Sequence, residues 1–259
     1  MNKRVALITG ASSGIGYETA LAFAQEGTHV IVLARRAERL AELERAIAAL
    51  PAGHGDVFAA SADVTDPESL RQAVEQGVER FGRLDILVAN AGIGHRGGIA
   101  DAEWSHLERL LRTNIDGVLH SVRAAVPAMR ASGGGHIITV SSVVANLVAP
   151  YAAAYAASKA FVTSMAHSLR LELEDDNIRV TDVLVGRTHT EFNENRLGEG
   201  KRTGQGVPTM TADVVATAIV RATHRPQRTI VLRFFDRLIV WGSILIPDVL
   251  GRLARRQYR

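Results

Sequence analysis

The stretch Val5–Gly16, with the sequence VALITGASSGIG, decides the fold. Its first residues form a short, mostly apolar run typical of a strand in a buried parallel sheet, and a helical pattern follows Gly16. A glycine-rich turn between a strand and a helix binds anions, because backbone N–H groups and the helix dipole face the negative charge. The missing Cβ atoms also let a pyrophosphate approach closely. The predicted contacts come from Gly10, Ser12, Ser13, Gly14, Ile15 and Gly16.

Two other interpretations of this turn stay open at the level of the motif. The spacing G-x-x-x-G-x-G differs from the common dinucleotide pattern G-x-G-x-x-G, so the turn also fits an ordinary connection between a strand and a helix. Gly10–Gly14 also match G-x-S-x-G, the nucleophile elbow of α/β-hydrolases, with Ser12 as the nucleophile. This elbow would sit on the first strand, and no Asp-then-His pattern stands out downstream, so the hydrolase is a remote alternative.

Alternating strand-like and helical patterns run along most of the chain. They predict an α/β fold with a doubly wound parallel sheet of about seven strands, helices on both faces, and one domain over 1–259. The predicted strands are Val5–Thr9, Val30–Leu33, Val57–Ala60, Ile86–Ala89, His136–Val140, Arg179–Leu184 and Thr229–Leu232. The predicted helices are 14–27, 37–49, 67–81, 102–130, 152–175 and 212–224. The polar, glycine-containing stretch 191–210 is predicted to be a substrate loop.

The composition excludes several classes of protein. The chain has 259 residues, a formal net charge of +3 and no cysteine, which excludes a disulfide scaffold, a thiolate nucleophile and cysteine-ligated metal centres. No His, Asp or Glu cluster has metal-ligand spacing, and basic and acidic residues are interspersed, so neither a metal nor a nucleic-acid partner is expected. No signal-peptide pattern precedes Val5, and Leu238–Pro247 is too short to span a bilayer, so a cytoplasmic protein is expected.

The end of the second predicted strand indicates which dinucleotide is preferred. An acidic residue about 20 residues after the glycines would hold the ribose 2′-hydroxyl of NAD, but this chain has Ala34 followed by Arg35 and Arg36. Guanidinium groups bind phosphate with paired hydrogen bonds, so the sequence favours NADP(H), with NAD(H) as the alternative. The other interpretation is that both arginines are solvated surface charges.

Tyr155 and Lys159 are four residues apart in a strongly helical segment and therefore share one helix face. A nearby cation lowers the pKa of a tyrosine, which suits the phenol to proton transfer with a carbonyl oxygen. Taken alone, such a pair is more often part of a solvated helix surface.

Several further motifs occur in a fixed order with this pair. They are TGASSGIG at 9–16, Asp63-Val64, Asn90-Ala91-Gly92, Asn114, Ser141-Ser142, YAASK at 155–159, Ile178-Arg179-Val180 and VGRTHT at 185–190. From residue 5 to about 225 the chain resembles a short-chain dehydrogenase/reductase of the classical type. The resemblance implies hydride transfer between a nicotinamide cofactor and a ketone or aldehyde, or the corresponding alcohol.

The resemblance also implies the catalytic roles. Tyr155 is expected to be the general acid in reduction and the base in oxidation, while Ser142, rather than Ser141, would hydrogen-bond the substrate oxygen. Lys159 is expected to lower the pKa of Tyr155 and to bind the nicotinamide ribose. Asn114 would hold a water in a proton relay behind Lys159; considered alone, it is a buried helix asparagine bonded to backbone.

The remaining implied residues contact the cofactor. Asp63 would bind the adenine amino group beside the Val64 backbone, and Asn90, Ala91 and Gly92 would pack along the ribose. The segment with Gly186, Thr188 and Thr190 would contact the nicotinamide half. Two positions depart from the family pattern: Val185 replaces the usual proline, with a small effect expected on loop stiffness, and Tyr17 replaces a frequent basic residue, which weakens the NADP(H) preference slightly.

The resemblance and the C-terminal sequence predict the partners. The substrate pocket is expected to be mostly apolar and lined by His95, Gly97, residues 143–151 and the loop; His95, His189 and Arg187 are expected to be solvated. The family implies a homotetramer or homodimer through the helices 102–130 and 152–175. The amphipathic extension 233–259 has three interpretations: it covers the pocket or a subunit interface, it lies on an anionic membrane surface, or it is loosely ordered. A non-catalytic dinucleotide-binding scaffold or sensor is the alternative to the enzyme.

Overall fold

Seven parallel strands form the centre of the structure, a computed structural model that describes residues 3–199 and 209–255. The strands are β1 (Val5–Thr9), β2 (His29–Ala34), β3 (Val57–Ser61), β4 (Ile86–Ala89), β5 (Gly135–Ser142), β6 (Ile178–Val185) and β7 (Thr229–Val231). Their order across the sheet is β3-β2-β1-β4-β5-β6-β7. The chain therefore extends the sheet from β1 to β3 on one side, and then crosses to the other side of β1 and continues from β4 to β7. This reversal between β1 and β4 opens a crevice at the carboxyl ends of the strands, where ligands bind in such sheets.

The helices lie on both faces of the sheet. They are α1 (Gly14–Gln25), α2 (Ala37–Ala48), α3 (Pro67–Phe81), α4 (Trp104–Leu111), α5 (Gly117–Ala131), α6 (Ala153–Glu172), α7 (Ala212–His224), α8 (Phe234–Leu245) and α9 (Pro247–Arg255). Apolar side chains of α3, α5 and α6 form a core on one face, and those of α1, α2 and α7 form a core on the other. The predicted doubly wound parallel sheet is confirmed.

Alternation along β1 shows how the sequence divides between the two cores. Val5 and Leu7 point to the face covered by α3, α5 and α6, whereas Ala6 and Ile8 point to the opposite face. All four side chains are fully buried. A strand covered on both faces must be apolar at successive positions, so the apolar run at the start of the sequence predicts a strand that is buried on both faces.

The sequence predicted the ends of most elements well. Each predicted strand is present, with its ends shifted by no more than two residues. Helix α3 begins at Pro67 as expected, and Asp66 caps it by accepting hydrogen bonds from the backbone N–H groups of Glu68 and Ser69. In the part of the chain that the structure describes, no helix is both long and apolar enough to cross a membrane.

One predicted helix is wrong. Instead of a continuous helix over 102–130, α4 ends at Leu111, a π-helical turn spans Arg112–Asp116, and α5 begins at Gly117. Gly117 contacts Val64 so closely that a Cβ atom at this position would lie 2.6 Å from Val64 Cγ2. Turns of this kind occur frequently at functional sites, and this one contains Asn114.

Candidate active site

The glycine-rich turn packs against the segment that follows β4. Gly10 has a φ of +68°, and a Cβ atom there would lie 2.9 Å from Ala91 Cα. Asn90 fixes the contact, because its Nδ2 donates to the Thr9 carbonyl at 2.9 Å. Thr9 Oγ1 in turn accepts hydrogen bonds from the backbone N–H groups of Asn90 and Ala91, both at 3.2 Å. Helix α1 begins with Gly14, Ile15 and Gly16. Their backbone N–H groups have no acceptor within the helix, because no helical turn precedes them.

Arg36 lies directly against this turn. Its Nη2 donates to Ser13 Oγ at 2.9 Å and to Ser12 Oγ at 3.1 Å, while Nη1 donates to Glu191 Oε2 at 3.1 Å. Two hydroxyls and a guanidinium next to a helix N-terminus form a donor set suited to a phosphate. Within residues 3–199 and 209–255, the side-chain partner of Ser12 Oγ is the permanent cation of Arg36 and not a general base, so the geometry does not support the hydrolase interpretation.

Arg35 and Asp63 lie on the other side of the crevice. Asp63 Oδ1 accepts from the Thr65 backbone N–H and hydroxyl, both at 2.9 Å, and Oδ2 is 3.7 Å from Arg35 Nη1. Burial raises the pKa of Asp63, but the Thr65 hydrogen bonds and the charge of Arg35 outweigh this effect and hold the pKa below its usual range. A cleft is open here, bounded by Arg35, Asp63, Thr65, Ser105, Glu108, Arg109, Arg112 and Thr113. Next to it, the Val64 carbonyl accepts a hydrogen bond from His120.

Ser142 and Tyr155 meet at the end of β5. Ser142 Oγ donates to the Val185 carbonyl at 3.0 Å, and Ser142 is also hydrogen-bonded to Tyr155. Burial of the phenol raises the pKa of Tyr155 to about 12, although the bond with Ser142 lowers it. Burial and Ser142 are the causes of this shift, so the expectation that Lys159 lowers the pKa of Tyr155 stays a prediction.

Lys159 lies one helical turn after Tyr155 and is almost fully buried. Its Nζ donates to the Val140 carbonyl at 2.8 Å. Burial lowers the pKa of Lys159 to about 8, and the charge of Asp182 opposes this shift. Gly92 provides the space around the ammonium: a Cβ atom on Gly92 would lie 3.4 Å from Lys159 Nζ and 3.3 Å from Asn114 Oδ1. Lys159 Nζ and Asn114 Oδ1 therefore both lie next to Gly92.

Asn114 is fully buried in the π-helical turn. Its Oδ1 accepts from the Ile93 backbone N–H at 2.8 Å, and its Nδ2 donates to the Ile93 carbonyl and to Ser158 Oγ, both at 3.0 Å. Ser158 Oγ itself donates to the Tyr155 carbonyl at 2.7 Å. Asn114 thus binds the backbone, as the interpretation from the residue alone predicts, and it also joins the loop after β4 to the helix that holds Tyr155.

The described part of the predicted substrate loop covers the tyrosine. The Phe192 ring lies 5.8 Å from the Tyr155 ring, and Leu197 pairs with the loop after β4 through backbone hydrogen bonds to Gly94 and Arg96. His95 was expected to be solvated, but this prediction is wrong because the pairing buries it to 4% exposure. Burial, and to a lesser extent the nearby His106, lowers the pKa of His95. The rest of this loop, including Lys201, lies outside the described residues.

The segment after β6 completes the crevice. Thr188 Oγ1 donates to the Gly186 carbonyl at 3.1 Å, and Thr190 packs against the glycine-rich turn, with its Cγ2 3.1 Å from a Cβ position on Gly14. His189 is exposed, as expected. Gly186 packs directly against the carboxylate of Asp236, so α8 begins next to the active site.

Four residues of this region carry no sequence motif, and their positions depend on the tertiary structure. Asp182 is fully buried and accepts hydrogen bonds from Thr139, Ser141 and Thr163. The others are Glu191, Phe192 and Asp236. An acidic residue inside a strand of the buried sheet is the sequence signal that marks Asp182, and no comparable signal marks the other three.

The chain is similar to known oxidoreductases. Residues 4–199 match the family model described as short chain dehydrogenase. An uncharacterized oxidoreductase of Listeria monocytogenes, Lmo0432, is 34% identical over 88% of this chain and 93% of the relative. The dehydrogenase/reductase SDR family member 7B of Bos taurus is 31% identical over 98% and 81%. The glycine betaine reductase ATRR of Emericella nidulans is 35% identical, but the match covers only 18% of its length.

Two solved structures that are similar to this chain are a dehydrogenase and a reductase. An alcohol dehydrogenase from Thermococcus sibiricus in complex with 5-hydroxy-NADP has a TM-score of 0.77 and 26% identity, covering 89% of this chain and 96% of that structure. A 3-ketoacyl-(acyl-carrier-protein) reductase from Brucella melitensis in complex with NADH has a TM-score of 0.75 and 28% identity, covering 85% and 90%. The two neighbours therefore carry different dinucleotides.

Proposed function

Because the chain belongs to the short-chain dehydrogenase/reductase family, whose members are nicotinamide-dependent oxidoreductases, we propose that it interconverts a ketone or aldehyde and the alcohol, with a preference for NADP(H). The observation that supports this proposal most strongly is the contact of Ser142 with Tyr155, one helical turn before the buried Lys159. The crevice at the carboxyl ends of the strands also contains the glycine-rich turn, where Gly10 packs against Ala91 so closely that a Cβ atom would not fit.

Tyr155 and Ser142 act together on the substrate oxygen. The nicotinamide supplies the hydride when the cofactor is bound. Tyr155 donates its proton to the carbonyl oxygen during reduction, and both hydroxyls hydrogen-bond the developing alkoxide. A tyrosine with a pKa near 12 stays protonated at neutral pH, so the proton for reduction is present, and its transfer requires stabilisation of the phenolate that forms.

Lys159 and Asn114 support the tyrosine from the protein side. Lys159 would hold the ribose hydroxyls of the cofactor with the N–H donors that its bond to Val140 leaves available. Bound ribose and substrate would change the surroundings of the phenol, and the ammonium would then stabilise the phenolate that follows proton transfer. Asn114 would position this group through Gly92 and Ser158 and would hold a water for the proton relay.

The preference for NADP(H) is supported by Arg36 and its two serine contacts. A 2′-phosphate placed beside the ribose would meet the guanidinium, the hydroxyls of Ser12 and Ser13, and Arg35 across the crevice. Asp63 would hold the adenine with the carboxylate oxygen that faces the cleft. No acidic residue follows β2 directly, so the 2′-phosphate is not repelled there.

The substrate is proposed to be mostly apolar, because Phe192 covers Tyr155 and the buried Val143 follows Ser142. A homotetramer or homodimer is supported by the large apolar side chains that α4 and α6 leave exposed, namely Trp104, Leu111, Phe161 and Leu171. We place the enzyme in the cytoplasm.

The change Tyr155→Phe tests the reaction. It removes the acidic proton and keeps the ring, so turnover should fall by about a thousandfold while NADPH binding is retained. NADPH absorbance in the presence of a panel of ketones and aldehydes measures turnover, and fluorescence titration measures binding.

Tyr17→Phe is the matched control, because Tyr17 packs against the core on the α1 side of the sheet and should tolerate the loss of its hydroxyl. Retained activity in Tyr155→Phe would contradict the assignment. If the unchanged protein turned over no ketone, aldehyde or secondary alcohol, the non-catalytic scaffold or sensor would replace the enzyme.

A further inference from the structure

Helices α8 and α9 expose an unusually large apolar surface, which we name the C-terminal apolar face. Trp241 is 71% exposed, close to the 77% of the neighbouring Leu245. The members of the face, all large and exposed, are Phe234, Phe235, Leu238, Trp241, Ile244, Leu245, Ile246, Val249 and Leu253. A soluble monomer rarely leaves so many large apolar side chains together in water, so this face indicates an interaction surface.

The opposite side of the same two helices is fixed to the body of the protein. Asp236 is buried, accepts two hydrogen bonds of 2.7 Å from Arg233, and packs against Gly186. In α9, a Cβ atom on Gly251 would lie 2.6 Å from Val148 Cγ1. The two helices therefore cover the segment after Ser142 with one side, and the C-terminal apolar face points away from the protein's own pocket.

The charges beside the face are predominantly positive. Arg237, Arg252 and Arg255 are exposed, whereas Asp248 is the one exposed acidic residue between Arg233 and Arg255. A second copy of the chain would bring these like charges together. An anionic lipid surface complements them, and it also accepts a tryptophan at the level of the headgroups.

We propose that α8 and α9 dock on an anionic membrane surface, with the C-terminal apolar face at the boundary between headgroups and acyl chains and the three arginines at the lipid phosphates. Val148 is half-exposed and touches Gly251, so the face continues into the segment that follows Ser142. The membrane contact itself does not depend on the reaction.

The two tryptophans of the chain provide a matched pair of reporters. Trp241 lies on the face, and Trp104, which is 70% exposed, lies on α4. In Trp104→Phe, Trp241 is the remaining tryptophan, and its emission should shift to the blue when vesicles of phosphatidylglycerol and phosphatidylcholine are added. In Trp241→Phe the remaining Trp104 should show no shift, although this variant should still sediment with the vesicles.

Charge and apolar variants complete the test. The double change Arg252→Glu and Arg255→Glu, and separately Leu245→Glu, should reduce co-sedimentation at least tenfold. The control Val214→Glu on α7, which is exposed outside this face and outside the proposed subunit contacts, should not reduce it. All these side chains are exposed, so circular dichroism should show an unchanged fold. Equal binding of the Leu245→Glu variant, or no binding of the unchanged protein, would overturn the proposal. A Trp241 shift that depends on protein concentration without vesicles, together with an oligomer in light scattering that Leu245→Glu dissociates, would assign the face to a second copy instead.

A separate observation concerns Glu191, which lies at the proposed phosphate site. Its Oε2 accepts from Arg36 Nη1 and its Oε1 from Arg39 Nη2, both at 3.1 Å. The same Arg36 contacts Ser12 and Ser13. A carboxylate and a 2′-phosphate would therefore share one guanidinium.

We infer that Glu191 restrains the preference for NADP(H), an inference that rests on the proposed function. Its negative charge competes with the 2′-phosphate for Arg36 and repels it, and NAD(H) experiences neither effect. Glu191 would thus determine how strongly the enzyme distinguishes the two cofactors.

Glu191→Gln tests this inference, with Glu194→Gln as the matched control in the same loop. The ratio of kcat/KM for NADPH to that for NADH should rise about fivefold in Glu191→Gln, as expected for a partly exposed charge pair, and should stay constant in the control. An unchanged or lower ratio in Glu191→Gln would overturn the inference. Absence of turnover with both cofactors in the unchanged protein would instead overturn the proposed function.

Discussion

At the scale of single residues, the carboxylate of Asp182 on β6 affects the active site through Ser141 and Lys159. It is fully buried and receives hydrogen bonds from Thr139 and Thr163, both at 2.8 Å, and from Ser141 at 3.0 Å. Ser141 is therefore committed to Asp182, which leaves Ser142 as the serine that faces Tyr155. The carboxylate raises the pKa of Lys159 against the effect of burial.

The change Asp182→Asn should lower the pKa of Lys159 further below its value of about 8, because the opposing negative charge is removed. The ammonium form is then lost at a lower pH. The alkaline limb of the pH profile of kcat/KM for NADPH-dependent reduction should therefore shift to lower pH by roughly half a pH unit or more. Thr163→Val removes one donor and keeps the charge, so its profile should move less. Coinciding profiles for Asp182→Asn and the unchanged enzyme would refute this role.

Arg36→Gln should reduce the preference for NADPH over NADH, because Arg36 is the cation that contacts the hydroxyls of the glycine-rich turn. A loss of about tenfold in the ratio of kcat/KM is expected for one charge-assisted contact with phosphate. Arg35→Gln should have a smaller effect, since Arg35 is more exposed and faces Asp63. Equal changes with both cofactors would show that neither arginine meets the phosphate.

The sequence predicted which residues gather at the site more successfully than it predicted their electrostatics. The motif residues from Gly10 to Thr190 do meet in one crevice, because the order of strands places all their loops at one edge. The pKa of Tyr155 was not predictable, since it depends on how deeply the phenol is buried. His95 is buried for a similar reason: the loop segment that covers it is distant in sequence.

At the scale of elements, the π-helical turn shows a limit of periodicity. The apolar pattern over 102–130 continues through the turn, so it predicts one helix. The break at Arg112–Asp116 accompanies long-range contacts, namely those of Asn114 with Ile93 and of Gly117 with Val64. By contrast, the start of α3 depends on local chemistry at Asp66 and Pro67, and the sequence predicted it correctly.

The pairing of β5 with β6 should make the protein sensitive to acid. His136 is buried, its Nε2 lies 2.8 Å from Thr181 Oγ1, and burial lowers its pKa to about 4. The unfolded chain binds this proton near pH 6.5, so stability present above that pH is lost as the pH falls toward 4.

Urea unfolding should show that the free energy of unfolding falls by about 2 kcal/mol between pH 7 and pH 5, and this fall should disappear in His136→Gln. His189→Gln changes an exposed histidine and should keep the original pH dependence. A pH dependence that is the same in all three proteins would contradict the assignment to His136.

At the scale of the whole molecule, the sheet brings the two halves of the crevice together. The alternation of strands and helices predicted the doubly wound sheet, and β1 between β2 and β4 places the glycine-rich turn beside the segment that follows β4. The arrangement of α8 and α9 was not predictable, because their apolar stripe is equally compatible with burial and with exposure. Residues 200–208 of the predicted loop, and Arg256 and Arg259, lie outside the described residues.

Since the cofactor would contact both halves of the sheet, binding should stabilise the whole fold. At a concentration 100 times its Kd, NADP⁺ should add about 2.7 kcal/mol and raise Tm by about 5–10 °C in thermal unfolding. Arg36→Gln should reduce the shift with NADP⁺ more than the shift with NAD⁺. An unchanged Tm with both cofactors would exclude dinucleotide binding at this site.

The central position of β1 also affects how the chain is synthesised. A ribosome releases β1, β2 and β3 first, and β1 then has a partner on one edge only until β4 emerges. On the order of several seconds pass before that edge is closed, at ordinary rates of translation. During this interval the unpaired backbone edge of a mostly apolar strand is open to neighbouring nascent chains. Spacing between ribosomes on the messenger and early chaperone contact should therefore influence the yield of native enzyme.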